Sequence, residues 1–417
     1  MMTPRESVLI AFQHREPDRV PIDFCATHNS SINVLAYNRL KKHLGIDSVT
    51  YMRDPIPMLA SPDLEEGLEI LKLMGGDMLP LPRHINFGVP AVDWQQWSFK
   101  DGSTCLVPGG FKPLKKDNGS QEMNLLNGLA VLSMPANGHH FNLVSRPLGA
   151  IENLTQLEDI LPLLRQSGAF SISDEELQVL QISGQKLHAE TDYAIVATGG
   201  PLFFSLYQVG QELFGYEKFF TFMASDPDLI RCWLDFLAST CIERLDKYLT
   251  ALGPFVDVIM MGDDYGFQNA PQMSPAMFRD LFKPYLVRVC RAVKEFAPGI
   301  KILLHSCGSV APFIPDFIEA GIDALNPVQI TAAGMEPAFL KKEFGREITF
   351  WGGGVRTQST LVRETPDAVA AEVHELIDIF KPGGGYIFCP IHDIQEEVPP
   401  EKILAIYQTA REYGYYK

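Results

Sequence analysis

Three side chains that bind soft metal ions stand at the ends of two apolar runs of the sequence. His305 and Cys307 end the run KILLHSC (301–307), and Cys389 lies at the end of GYIFCP (385–390). Residues two apart on a strand share a face, so His305 and Cys307 are expected to point the same way. Imidazole with thiolate is a combination that zinc selects, and three protein ligands with one open position are typical of catalytic zinc. The pattern predicts an open zinc site with these three ligands.

Each cysteine also has a simpler explanation. A single cysteine on a core strand is usually a small apolar residue. The long interval between Cys307 and Cys389 leaves the H-x-C…C pattern with moderate specificity. Their shared position at strand ends is what favours a metal site over core packing.

The two apolar runs belong to a series of strands that alternates with helical patterns. Two strand-like runs near the start, RVPIDF and GGDMLPL, add to the later ones to give about eight, which predicts a (β/α)8 TIM-type barrel. In such barrels the active site lies at the C-terminal ends of the strands. The later strand-like runs are 193–200, 256–264, 301–307, 322–329, 348–354 and 385–390.

Residues 86–147 differ from the rest of the chain. They carry aromatic and β-branched residues around Asp-Gly and Asn-Gly turn signals, so they are expected to form a β-hairpin excursion from the barrel. The whole chain, 1–417, is then a single barrel domain with an N-terminal extension.

Charge and composition argue against a nucleic-acid-binding protein and against a membrane-spanning one. The formal net charge of −16 argues against a nucleic-acid partner, because phosphate binding needs clustered Lys and Arg. No apolar run reaches the ~18 residues needed to span a membrane, and the N-terminus has no leader pattern. Seven cysteines without short spacings favour thiols or ligands over disulfides. A cytoplasmic protein is expected.

Further polar residues follow other strands on the same rim. Asp263 and Asp264 follow VDVIMM and point apart, so at most one should face the zinc. A carboxylate there could protonate a leaving group, orient a metal-bound group or cap the following helix. His392, three residues after Cys389, is a candidate proton shuttle, although such a loop histidine is more often a surface residue.

Candidate substrate-binding residues come from the remaining strand-end loops. Phe203 and Tyr207 follow VATGGPL, where a planar substrate could stack on them or the rings could pack on the barrel. His28 follows the first strand-like run, Gln329 ends IDALNPVQ, and Arg356 in GGGVRTQ is the rim arginine that the sequence indicates.

Several segments of the chain resemble the uroporphyrinogen decarboxylase family. These are HSCGSV, WGGGVRTQSTL and the C-terminal GGGYIFCPIHDIQEEVPPEKILAIYQTAREYG. The N-terminal TPRESVLIAFQHREPDRVPIDF and MGDDYGFQNAPQMSPAMFRDLFKPY also look like that family. The resemblance covers nearly the whole chain and implies a single distorted barrel with an N-terminal extension.

Within that family the chain is most similar to the corrinoid-linked methyltransferases. Decarboxylases of the family carry an N-terminal signature of the type R-Q-A-G-R-Y, whereas the corresponding IDFCATHNSSIN has no arginine. His305, Cys307 and Cys389 match the H-x-C…C zinc motif of the methyltransferases. Some zinc barrel methyltransferases take a further acidic ligand from the next strand, which here offers Asn326 and Gln329. The resemblance therefore leaves the fourth position to water, substrate or another residue.

The resemblance implies a zinc-dependent methyltransferase. It would move a methyl group from a small O-, N- or S-methylated compound to the Co(I) corrinoid (cobalamin) of a separate small protein, and a homodimer is left open. A methylcorrinoid:thiol methyltransferase of the coenzyme M type and a uroporphyrinogen-type decarboxylase remain alternatives. A third alternative is a non-enzymatic barrel in which zinc is only structural.

Overall fold

Strands and helices alternate along most of the chain. The computed structural model describes residues 2–60, 67–81, 85–86, 89–125, 130–167, 170–198 and 205–416. The strands are β1 (Ile32–Asn33), β2 (Met52–Asp54), β3 (Leu59–Ala60), β4 (Met78–Pro80), β5 (Ile85–Asn86), β6 (Val89–Pro90), β7 (Gln95–Ser98), β8 (Thr104–Val107), β9 (Leu114–Lys115), β10 (Gln121–Leu125), β11 (Ala130–Met134), β12 (Asn142–Leu143), β13 (Ala194–Thr198), β14 (Val258–Gly262), β15 (Lys301–His305), β16 (Ala324–Asn326), β17 (Thr349–Trp351) and β18 (Tyr386–Ile387). The helices are α1 (Pro4–Ala11), α2 (Val34–Leu44), α3 (Leu68–Met74), α4 (Leu154–Gln166), α5 (Asp174–Glu190), α6 (Gln208–Phe214), α7 (Tyr216–Ser225), α8 (Pro227–Leu252), α9 (Pro275–Met277), α10 (Lys283–Phe296), α11 (Ile314–Ala320), α12 (Pro337–Phe344), α13 (Thr360–Arg363), α14 (Pro366–Phe380) and α15 (Pro400–Tyr413).

A curved parallel sheet forms the centre of the described chain, in the order β18-β17-β16-β15-β14-β13-β4. A short extended segment around Ile22 joins its two edges. On one side Phe388 N–H donates to Pro21 O and Asp23 N–H donates to Phe388 O, both at 2.8 Å. On the other side Asp77 N–H donates to Ile22 O at 2.9 Å. The predicted TIM-type barrel is confirmed, with its first strand reduced to this segment.

Apolar side chains fill the barrel, and α1 covers the end at which the strands begin. Thr3 and Glu6 form a capping box at the start of α1, and Phe12 lies edge-on to Trp351 with ring centroids 6.2 Å apart. The strands and α1 thus share one buried cluster. Its members are Val8, Ala11, Phe12, Ala26, Met78, Ala194, Val196, Val258, Leu303, Ala324, Trp351, Ile387 and Cys389.

Antiparallel hairpins built from β5 to β12 occupy the predicted excursion. Backbone hydrogen bonds join the described part of the excursion to the segment between α2 and β3: Leu106 N–H donates to Thr50 O at 2.8 Å and Phe141 N–H to Ile56 O at 3.0 Å. Just after the excursion, Leu148 N–H donates to Leu213 O of α6 at 2.9 Å. Among the described helices, none combines the length and the apolar character that crossing a bilayer requires.

A buried ion pair supports the segment that closes the barrel. Arg19 donates from both terminal nitrogens to the two oxygens of Asp77 at 2.7 and 2.8 Å, and Ile22 N–H donates to the same carboxylate at 2.7 Å. Burial raises the pKa of Asp77 to about 6, against the opposing charge of Arg19. The Asp77 carboxylate thus depends on Arg19 for charge compensation.

We expect Arg19→Met to lower the free energy of unfolding by about 3 kcal/mol at pH 8, because removing one partner leaves a buried charge uncompensated. A carboxyl whose folded-state pKa is raised binds more protons when folded than when unfolded, so the stability it contributes falls as pH rises from about 4 and levels off above about 6. The loss should therefore be smaller at pH 5. Urea unfolding at both pH values measures it, with the exposed Arg15→Met as control. Equal losses at both pH values would instead attribute the effect to packing.

Candidate metal centre

The C-terminal ends of two neighbouring strands bring three candidate ligands together. In the parallel ladder Gly262 of β14 pairs with His305 of β15, so the residues two positions further on, Asp264 and Cys307, lie at equal height. Nε2 of His305 is 3.5 Å from Cys307 Sγ and 3.3 Å from Asp264 Oδ1. The three ligand atoms all lie within 4.8 Å of one another. The arrangement is a possible metal site.

The protonation states of this cluster are coupled. Burial acts to lower the pKa of His305, but Cys307 and Asp264 act more strongly and raise it well above its usual range. Burial acts to raise the pKa of Asp264, yet the hydrogen bond and charge of His305 and the Cys307 N–H lower it. Burial raises the pKa of the Cys307 thiol against the effect of His305. In this cluster the positive charge of the His305 imidazolium compensates Asp264. A bound metal cation would supply that compensation instead.

Cys389 lies beside this cluster rather than within it. Its side chain is fully buried in the barrel interior, and burial, with the charge of Asp23, raises the pKa of its thiol well above the usual range. Among the described residues, the set of ligand atoms within 4.8 Å does not include Cys389. The amide of Asn326 lies between Cys389 and His305, with contacts of 3.9 Å to Sγ and 2.8 Å to Nδ1.

The two adjacent aspartates have different surroundings. The Asp263 oxygens accept from backbone N–H groups of residues 206–208 at 2.7, 2.8 and 2.9 Å and from the hydroxyls of Ser205 and Tyr265. Burial raises the pKa of Asp263, and these hydrogen bonds oppose the rise. Asp263 thus binds the N-terminus of α6, which precedes it in the chain. Asp264 is the one that faces His305 and Cys307.

Gln329 supports the loop that carries Cys307. Its Oε1 accepts from Gly308 N–H at 2.7 Å. Gly308 has a positive φ of 86°, and a Cβ there would lie 2.4 Å from the backbone of Gly266, so only glycine fits this contact between the two rim loops. The structure gives Gln329 a contact with the candidate metal centre rather than with an open surface.

The remaining predicted substrate residues are engaged in other contacts. Tyr207 is fully buried, its ring is stacked on Tyr265 at 5.3 Å, and its hydroxyl donates to Gln272 Oε1 at 3.2 Å. Arg356 forms a close ion pair with the buried Glu372. Phe203 lies outside the described residues.

The predicted rim histidines are each paired with a carboxylate. His28 Nδ1 is 3.4 Å from Asp54 Oδ2, and His392 Nδ1 contacts Asp393 Oδ1. The charge of His392 also contributes to the low pKa of Asp264. His392 therefore lies within electrostatic range of the cluster.

Two titratable residues that the sequence did not assign to the site interact with it electrostatically. Burial raises the pKa of Glu212 on α6 to about 7, Arg146 opposes the rise, and Asp263 and Asp264 add to it. Burial lowers the pKa of His140 in the excursion, although the charges of Asp393 and Asp54 act to raise it. A glutamate within a helix and a histidine in a hairpin turn carry no local pattern that would identify them.

Comparisons with known proteins agree with this architecture. A family model described as Uroporphyrinogen decarboxylase (URO-D) matches residues 165–413. Relatives include a uroporphyrinogen decarboxylase of Azoarcus sp. (strain BH72), 23% identical over 265 residues that cover 58% of this chain and 68% of the relative. Another, from Vesicomyosocius okutanii, is 24% identical over 208 residues that cover 49% of this chain and 55% of the relative. The matches thus span between about half and two thirds of these relatives.

A solved structure shares the fold over nearly the full length of the chain. It is a methyltransferase from Methanosarcina mazei, with a TM-score of 0.60, 18% sequence identity and 99% coverage of both chains. At this level of identity the likeness concerns the fold.

We expect Asp263→Asn to lower the free energy of unfolding by about 2 kcal/mol, because its amide nitrogen would face N–H donors that the carboxylate now accepts. Metal binding at the neighbouring cluster should persist. Asp264→Asn should weaken metal binding and cost less stability, because its amide oxygen can still accept from Cys307 N–H and His305 can lose its proton. Urea unfolding and metal titration of both variants measure this. Loss of metal binding in Asp263→Asn at unchanged stability would contradict the assignment.

Proposed function

The chain belongs to the uroporphyrinogen decarboxylase family, and within it we propose a zinc-dependent methyltransferase. The enzyme would move a methyl group from a small O-, N- or S-methylated compound to the Co(I) corrinoid of a partner protein. The observation that carries the proposal is the convergence of Asp264, His305 and Cys307 at the strand ends of the barrel.

The separations of His305 from the other two side chains fit zinc. Tetrahedral ligands at about 2.3 Å for sulfur and about 2.0 Å for nitrogen or oxygen lie roughly 3.3 to 3.5 Å from one another. The separations of His305 Nε2 from Cys307 Sγ, 3.5 Å, and from Asp264 Oδ1, 3.3 Å, have these values. We therefore assign these three residues to the metal. Cys389 remains the predicted further ligand, and its substitution tests that role.

Zinc bound here would act as a Lewis acid on the heteroatom that carries the methyl group, or would favour the thiolate of an acceptor. The chain itself supplies the groups around it. His392 is held by Asp393. Burial acts to raise the pKa of Asp393, but the hydrogen bond and charge of His392, with His28 and Gln395, together lower it. His392 is half-exposed, so we assign it to proton exchange with the group that loses or gains the methyl.

The decarboxylase alternative has less support in the site. Binding of a substrate with several carboxylates calls for available cationic groups, and Arg356 is already paired with Glu372. The segment that follows the first barrel strand is occupied by a buried network in which Asp23 accepts from Thr27, Ser30 and Trp351. Because curated relatives bear the decarboxylase name, porphyrinogen turnover belongs in the same assay.

We expect the purified protein to contain about one zinc per chain and to methylate Co(I) cobalamin from a small methylated donor. Cys307→Ser should lose the metal and lower the transfer rate by about 100-fold or more, since even indirect supports of a metal ligand contribute 10- to 100-fold. The zinc content of Cys389→Ser tests whether Cys389 is a further zinc ligand. Elemental analysis and the cobalamin absorbance change are the measurements.

The control for these variants is Cys232→Ser, a helix thiol of α8 outside the cluster. It should retain both zinc and activity. A metal-free protein that transfers methyl groups at the wild-type rate, or that turns over a porphyrinogen instead, would contradict the proposal.

The apparent affinity for zinc should rise with pH. The pKa values of His305 and Cys307 are both raised in the metal-free cluster, so zinc must displace a proton from each near neutral pH. The logarithm of the affinity should therefore increase by about two per pH unit from these two residues, and by about one more if Cys389 also binds as a thiolate. Chelator competition between pH 6 and 8 measures the slope. A flat profile would show that these groups do not bind the metal.

A further inference from the structure

We propose that Asn326 is a positioning residue for the metal centre, which holds His305 in its metal-binding tautomer and contacts Cys389 with the same amide group. The inference rests on the proposed zinc site and concerns a residue that is not itself assigned as a ligand.

The strand register places Asn326 beside the cluster. Asn326 of β16 pairs with His305 of β15, and Ser306 N–H donates to Asn326 O at 2.7 Å. The side chain is fully buried, with Oδ1 2.8 Å from His305 Nδ1. Its Nδ2 lies 3.0 Å from Trp351 O and 3.9 Å from Cys389 Sγ. One rigid amide thus spans residues from β15 to the end of β18.

These contacts fix which way the amide points. Trp351 O is a carbonyl oxygen and can only accept, so the Asn326 atom that faces it must be the NH2 group. The atom facing His305 is then Oδ1, which also can only accept. Nδ1 of His305 must therefore carry a proton. The nitrogen left to bind a metal is Nε2, the one that faces Cys307 and Asp264.

The second proton of the same NH2 group is available to Cys389. Sulfur is a weak acceptor at long range, and 3.9 Å lies within the reach of such a bond. Cys389 is fully buried in the barrel core, and the Asn326 NH2 group is a hydrogen-bond donor within reach of its Sγ. The same amide therefore orients the ring of His305 through Oδ1 and contacts Cys389 through Nδ2.

Two substitutions separate the two contacts. Asn326→Asp keeps an oxygen for His305 Nδ1 and replaces the NH2 group by a second oxygen. Asn326→Leu has a similar volume and removes both contacts. We expect Asn326→Leu to bind zinc 10- to 100-fold more weakly by chelator competition, as for other residues that orient a ligand, and Asn326→Asp to lose less.

The Cys389→Ser background tests the coupling. There the additional loss caused by Asn326→Asp should disappear, whereas the loss caused by Asn326→Leu should persist through His305. Substitution of the site with Co²⁺ gives a second readout, because its thiolate charge-transfer band should weaken in Asn326→Asp relative to wild type. If Asn326 had only a structural role, the effect of Asn326→Asp on zinc affinity would not depend on Cys389. The Co²⁺ charge-transfer band would also stay as in the wild type.

The buried Asn33→Leu, which removes the N-cap of α2, controls for loss of a buried amide and should leave zinc affinity unchanged. Affinities of both Asn326 variants within twofold of wild type would overturn the inference while leaving the zinc site intact. Equal losses in both variants and both backgrounds would also overturn it, in favour of packing. Absence of zinc binding by the wild type would instead overturn the proposed function and this inference together. If Asn326→Leu does not fold, the Asn326→Asp comparison with and without Cys389→Ser decides alone.

Discussion

The pairing register of β14, β15 and β16 is the constraint on which the candidate metal centre depends. Gly262, His305 and Asn326 stand side by side across three strands, so the residues that follow them leave the sheet at one height. Because side chains alternate between faces, a shift of one residue in β15 would turn both His305 and Cys307 away from Asp264. The apolar packing of the barrel interior fixes that register, and the positions of the candidate ligands follow from it.

The rim loops are held by buried polar contacts that also orient the cluster. Asp263 binds the first turn of α6, and because consecutive residues point apart, Asp264 is directed to the other side. Gln329 binds the backbone of Gly308 directly after Cys307. Asp263 thus serves the scaffold while Asp264 faces the site, and Gln329 supports the loop next to Cys307.

The fold was predictable because strand and helix patterns are local, and the strand-end position of His305 and Cys307 follows from a spacing of two residues. The closing segment at Ile22 was harder to define, since only its long-range partners Phe388 and Asp77 make it part of the sheet. Residue type alone did not indicate the contacts that the structure gives to Tyr207, Gln329 and Arg356, which stay predicted substrate-binding residues. Their partners Tyr265, Gly308 and Glu372 are distant in sequence, and no local pattern announces them.

The offset of Cys389 was unpredictable for the same reason, because it depends on where Asn326 sits between two strands. The surroundings of the two cysteines also determine the protonation of their thiols. The barrel below the cluster is apolar, so burial raises the pKa of both Cys307 and Cys389 and favours neutral thiols. At the rim, Asp264 and His305 form an ion pair that a cation can replace. Under the proposed function, the positive charge of the metal favours the thiolates, and the Asn326 amide is a donor near Cys389 Sγ. Metal binding at this centre is therefore coupled to proton release under the proposed function.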